Sequence, residues 1–173
     1  MNPLKRSVLI ATAFLFALQL SAASAYSAQD SSRPFGLGII LGEPTGLSAK
    51  YYLSSRNAID GGLAYSFNNF IYIFADYLFH FPGAFGGSTR FSSELSPYLG
   101  IGAIFLGSTN SGSRNRAYFS DSSGALGMRL PLGIEWSPSE HPIGIFIEVV
   151  PGLGIIPGTF GFIEGGIGGR YYF

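Results

Sequence analysis

Cysteine is absent from the 173-residue chain. That excludes a disulfide framework, a thiolate nucleophile and a lipid-modified N-terminal cysteine. Charge is scarce as well: Asp, Glu, Lys and Arg make up 12% of the residues, where a globular domain carries roughly a quarter. The ten basic and ten acidic side chains cancel, so the charge balance does not point to nucleic acid. Only two histidines occur, His80 and His141. They are far apart in sequence and the carboxylates are scattered singly, so no metal-ligand spacing appears and no cofactor is expected. There is no Gly-x-Ser-x-Gly nucleophile elbow, nor a G-x-G-x-x-G leading into a helix. No apolar run long enough for a membrane helix follows Leu20. Yet the chain is 47% hydrophobic and 16% aromatic. The other structure able to live in lipid is a closed β-barrel, because every backbone polar group must be paired there.

The first residues carry an export pattern. Lys5 and Arg6 precede an uncharged, mostly apolar run at 8–20, and Ala23 and Ala25 end it in an Ala-x-Ala pattern. A basic start, a short apolar core and a small-residue end make a secretory signal peptide, cleaved after Ala25. The thirteen residues of the run fall short of the ~20 that a helix needs to span a bilayer. The expected organisation is therefore a cleaved signal peptide at 1–25, a short polar periplasmic lead-in at 26–33 and one barrel domain at 34–173. The mature part has 173 − 25 = 148 residues, and losing Lys5 and Arg6 leaves 8 basic against 10 acidic side chains, a net charge of −2.

Period-two alternation runs through the mature chain. Strands are expected at 35–42, 47–53, 59–67, 71–81, 97–107, 125–136, 143–151 and 162–173. Connections carry Pro, Gly, Ser and Asn: 43–46, 54–57, 68–69, 82–94, 108–124, 137–142 and 152–160. One face of each strand is uniformly apolar, such as Leu126, Met128, Leu130, Leu132, Ile134 and Trp136. The other is mixed and holds the charges Lys50, Asp60, Asp76, Arg129, Glu135, Glu148, Glu164 and Arg170. A soluble lipocalin-like barrel or β-sandwich produces similar runs but keeps polar residues outside; the inverted arrangement favours lipid outside. The pattern has flaws: Ile40, Phe74, Leu78, Ile104, Phe146 and Phe162 fall on the mixed face, and Pro131 and Pro151 each remove a ladder hydrogen bond. The three cations and five acids on the mixed face are expected to pair across strands as a structural, plugging network, since an eight-stranded barrel has little interior room beyond its side chains. The many glycines on that face argue the other way, leaving space for water.

The last strand is the sharpest feature. Phe162 to Phe173 alternates an apolar or small face with one carrying Glu164 and Arg170, and the sequence stops on Tyr171-Tyr172-Phe173. This ending resembles the C-terminal strand of Gram-negative outer-membrane β-barrels, and the rest of the chain resembles the small eight-stranded barrels of the OmpA/OmpX type. The resemblance implies an all-β, antiparallel, up-and-down transmembrane β-barrel of about eight strands in the outer membrane of a Gram-negative bacterium. It also implies that Tyr171 and Phe173 form the signal read by the barrel assembly machinery, and that outer-membrane lipid and lipopolysaccharide are the surroundings.

The expected role is structural or one of surface interaction, by a monomer and without catalysis. A narrow solute pore is the first alternative. A lipid A-modifying barrel enzyme is the second, because some such barrels use a His with a Ser and an acid near the outer rim. His80, however, is placed near the periplasmic rim by this topology, and His141 reads as a solvated turn residue. Arg114 and Arg116 in the long polar connection are candidates for contact with lipopolysaccharide phosphate, and two arginines in such a loop are as readily explained as solvated.

Overall fold

The computed structural model describes residues 33–66, 70–86, 88–108 and 124–173. The segment 1–25 expected as a signal peptide, the turn expected at 68–69 and most of the polar connection expected at 108–124, with Arg114 and Arg116, lie outside them. The elements in chain order are β1 (Phe35–Glu43), β2 (Thr45–Tyr52), β3 (Asn57–Ser66), β4 (Phe70–His80), a short helix α1 (Arg90–Ser93), β5 (Leu95–Ser108), β6 (Gly124–Arg129), β7 (Leu132–Trp136), β8 (Ile143–Ile156) and β9 (Phe160–Tyr172).

Consecutive strands from β1 to β5 pair antiparallel, β6 and β7 each lie between β5 and β8 as two parts of one stave, β8 pairs with β9, and β9 returns to β1. The nine segments are thus eight staves of a closed barrel. The closing seam runs from Gly36↔Tyr172 through Gly38↔Arg170 to Glu43↔Gly165. Closure leaves no edge strand with unpaired N–H and C=O groups, the requirement that lipid imposes.

Local chemistry shapes the connections at both rims. At the β1–β2 turn Gly42 takes φ +142, a region that a side chain disfavours. Its N–H donates to Thr45 Oγ1 at 3.1 Å, and the Thr45 hydroxyl donates back to the Gly42 carbonyl at 2.9 Å. In the β2–β3 turn Ser54 Oγ accepts from the N–H groups of Arg56 and Asn57 at 3.2 and 3.1 Å, a hydroxyl turn.

Most strand ends lie within one or two residues of the sequence reading, and three larger departures stand out. The stave expected at 125–136 is interrupted at Leu130-Pro131, because Pro131 has no N–H to continue the ladder. The neighbours bridge the break: Gly100 N–H donates to the Pro131 carbonyl at 2.7 Å and Leu130 N–H to that of Pro151 at 2.9 Å. Pro151 itself stays inside a strand, opposite Ile163. β8 runs on to Ile156, so the expected connection at 152–160 shrinks to 157–159; glycines 152 and 154 sit where the rings of Phe162 and Phe160 leave no room for a Cβ. The connection at 82–94 contains α1, capped by Thr89, whose hydroxyl accepts from Ser92 N–H at 3.2 Å.

The outside of the barrel is its apolar face. Leu37, Ile39, Leu63, Ile73, Ile101, Leu132, Ile147 and Ile167 are all exposed, Ile167 to 53%. At the rim holding the chain end, exposed aromatics gather: Phe35, Tyr51, Phe79, Phe81, Tyr171 and Phe173. Phe173 stacks on Phe35 at 6.3 Å and meets Tyr171 edge-on at 5.0 Å.

Inside, the residues that looked like flaws form the packing. Ala64, Tyr72, Phe74, Ile104, Leu106 and Ala125 make one buried cluster, with Phe160 and Phe162 against it. Ala58, Leu78 and Tyr98 make a second, nearer the chain end, with Tyr52 beside it. Glycine on this face does not leave space for water as the sequence suggested. Instead it seats rings: a Cβ on Gly62 would stand 2.7 Å from Phe74, and one on Gly36 would stand 2.6 Å from Tyr172. Gly168 and Gly133 likewise receive Phe146 and Tyr98.

Candidate functional site

Alternation along the staves turns eight charged side chains inward: Lys50 on β2, Asp60 on β3, Asp76 on β4, Arg129 on β6, Glu135 on β7, Glu148 on β8, and Glu164 and Arg170 on β9. All are buried, from 1% exposed at Lys50, Arg129 and Glu135 to 6% at Glu164. A lone ion there costs several kcal/mol, and the structure places most of them in contact.

Near the chain-end rim Lys50 Nζ donates to Glu135 Oε2 in a short ion pair. The hydroxyl of Tyr172 donates to the other oxygen, Oε1, at 2.5 Å, and Ser137 reaches the same oxygen at 3.3 Å. Midway along the axis the Arg170 guanidinium donates to Asp60 Oδ2 at 2.7 Å and to Ser48 Oγ at 2.7 and 3.0 Å. Arg129 stands between Asp76, 3.3 Å from Nε, and Glu148, 3.6 Å from the terminal nitrogen. Tyr98 OH donates to Glu148 at 2.9 Å. Glu164 makes no ion pair with another described residue at the same range.

The buried rings complete this arrangement. Arg129 lies over Phe74 at 4.0 Å and Arg170 over Phe146 at 3.9 Å, while Lys50 faces Tyr52 at 4.7 Å and Tyr98 at 5.3 Å. An aromatic face attracts a cation most when both are desolvated. Sequence reasoning missed the roles of Ser48, Tyr98, Tyr172, Phe74 and Phe146. Their inward phase was legible, but their partners depend on which strands face one another across the barrel.

His80 is buried, 2% exposed, and its Nδ1 lies 3.3 Å from Ser96 Oγ at the chain-end rim. Its ring is flanked by Tyr98 at 5.0 Å and Tyr52 at 5.4 Å. The nearby Glu135 carboxylate is occupied by Lys50, Tyr172 and Ser137. His141 is exposed in the β7–β8 turn.

At the same rim a second built feature lies outside the barrel wall. Glu94, directly after α1, accepts from Arg90 Nε at 3.1 Å, from the Trp136 indole at 3.1 Å, and from the Ser139 N–H and hydroxyl at 3.3 Å each. It thereby clasps α1 to the β7–β8 turn. Burial raises the Glu94 carboxyl, but these hydrogen bonds outweigh it and hold the group below its ordinary value. Arg90 also meets Glu140 at 2.8 Å. The clasp borders an open pocket of about 390 Å³ against Phe91, Trp136 and Pro138.

The fold and this interior define the class: a closed eight-stranded antiparallel β-barrel with its charges inside and its apolar side chains outside. The sequence profile of DUF3996, a protein family of unknown function, matches residues 26–161, and the chain belongs to that family. Among curated proteins no significant sequence match is found. The crystal structure of the N-terminal β-barrel domain of Pseudomonas aeruginosa OprF is similar in fold, with a TM-score of 0.58 and 18% identity, over 80% of this chain and 96% of that one.

Proposed function

We propose that this protein is an integral outer-membrane β-barrel of the OmpA/OmpX type, with a structural or surface-interaction role and no catalytic activity. The observation that carries the reading is the inverted polarity. Among the described residues ten polar or charged side chains are buried in the interior, while the outer wall exposes Leu, Ile, Val and aromatic side chains around its circumference. Water would reject such a wall over so wide an area; hydrocarbon accepts it, and the ring of aromatics at the chain end suits the membrane–water interface. On this reading the N-terminal segment exports the chain and is removed. Tyr171 and Phe173 are read by the assembly machinery, and the chain-end rim is periplasmic.

The lumen favours a plug over a pore. Apolar clusters lie on both sides of the ion pairs made by Arg129 and Arg170, and the rings occupy the space above the glycines. The His80–Ser96 pair gives the lipid A-modifying reading little support, because it lies on the periplasmic rim in this topology and the adjacent Glu135 is committed to Lys50.

The test is planar-bilayer conductance of the mature chain refolded in detergent, each preparation first checked for the cold-versus-boiled gel shift of a closed barrel. Silence from shifted protein is expected. Discrete conductance steps would replace the plug by a solute pore, and soluble protein without a shift would overturn the membrane reading.

A further inference from the structure

The pocket at the α1 rim has a chemistry of its own. Phe91 is 59% exposed, on a helix of four residues that is otherwise polar. Its ring stands 6.1 Å from that of Trp136 at an angle of 45°, and the indole N–H is fixed by Glu94. Two carboxylates, Glu94 and Glu140, face one guanidinium, Arg90, leaving a net charge of −1 beside two aromatic faces. An aromatic pair with surplus negative charge attracts an organic cation, and quaternary ammonium recognition is the common case. Arg90 and Glu140 keep 59% and 65% of their side chains exposed, so both remain accessible to a ligand carrying both signs.

The pocket is continuous with the apolar wall. Trp136 ends the outward column of β7, above Ile134 and Leu132, and Ile145 stands beside it on β8. Building on the membrane reading above, the geometry points to a headgroup site for a zwitterionic phospholipid. The ammonium rests on Phe91 and Trp136 against Glu140, the phosphate faces Arg90, and the acyl chains run along Leu132, Ile134 and Ile145. Continuity with the lipid-facing wall and the paired charges select this occupant over a soluble amine, which would leave the apolar column uncovered.

Trp136 is the sole tryptophan of the chain, so its fluorescence reads the site directly. The refolded chain, verified by gel shift in maltoside micelles, is titrated with short-chain phosphatidylcholine, then with phosphatidylglycerol of equal chain length, then with soluble phosphocholine. A saturable change with phosphatidylcholine is expected. It should be about ten-fold weaker with phosphatidylglycerol, and about ten-fold weaker with phosphatidylcholine in Phe91→Ala and Glu140→Gln. Glu140→Gln alters an exposed side chain and keeps the gel shift, so it decides the matter if Phe91→Ala fails to fold. Equal responses to the two lipids, or an unaffected Glu140→Gln, would overturn the headgroup site in favour of plain apolar contact. Full response to phosphocholine alone would overturn the lipid as its occupant. Loss of the gel shift in the unaltered chain would instead count against the barrel in membranes.

Discussion

Replacing Arg170 with Met tests the interior most directly. Met keeps much of the apolar stem and removes the guanidinium, which holds Asp60 and Ser48 and covers Phe146. Asp60, 3% exposed, is then left as a buried carboxylate without its cation. Breaking a buried pair from one side costs about 3–5 kcal/mol, and the lost stacking on Phe146 adds about 1–2 kcal/mol. Relief of the repulsion between Arg170 and Lys50 returns part of that, so about 3–5 kcal/mol is the expected net loss. The double variant Arg170→Met, Asp60→Asn removes both charges and should lie within about 2 kcal/mol of the native protein, because a buried pair replaced as a unit is often near neutral. Equilibrium urea unfolding from lipid vesicles, followed by Trp136 fluorescence and by the fraction of gel-shifted protein, gives both values. A single variant within about 1 kcal/mol of the native protein would refute the reasoning, because it would mean that water already solvates Asp60. A double variant as unstable as the single would show that the cost is lost packing and not an isolated charge.

Other consequences are as concrete. Gly38→Ala places a Cβ against the Gly169 carbonyl and 2.7 Å from Arg170 Cα on the closing seam; the gel shift should be lost, while Gly158→Ala, which meets nothing within 4 Å, should keep it. Phe74→Ala with Ile104→Ala opens the apolar cluster away from the chain end, at a cost of roughly 3–5 kcal/mol for the Phe alone. In protein that still shifts, conductance should appear, and it should favour cations because five acids face three bases inside; anion preference would contradict the charge assignment. The Glu94 carboxyl lies below its ordinary 4.5, so the clasp it makes is complete above that pH and is lost as pH falls through the lower native value. Trp136 emission should therefore change in acid below pH 4.5, with no such transition in Glu94→Gln.

The period-two pattern made the staves and the inward set of charges legible, because the face of a strand is a local property. Which charge meets which is not local. Lys50 finds Glu135 and Arg170 finds Ser48 at separations of 85 and 122 residues, set by the stagger of the whole barrel. The inward Phe74 and Phe146 looked like errors in the alternation because their cationic partners come from β6 and β9. The interior glycines misled for the same reason: space beside a glycine is decided by the strand it packs against. Pro131 was legible as a missing donor, but not the way the carbonyls of Pro131 and Pro151 carry the ladder past the break.

These non-local contacts also explain how the barrel specifies one register. Slipping β9 by one residue against its neighbours would turn Glu164 and Arg170 to the outer face, which the proposed membrane reading places in lipid, and bring Ile163 and Ile167 inside. A basic side chain near the bilayer centre costs about 2–4 kcal/mol, and Asp60 would lose its partner at the same step. The seats beneath Tyr172 and Phe146 would move too, since Gly36 and Gly168 accept those rings only in the native alignment. A strand so rich in glycine has weak register of its own. The buried charges and ring seats therefore supply at the closing seam the specificity that side-chain packing supplies elsewhere. This accounts for expensive ions in a narrow lumen without requiring that anything pass through it.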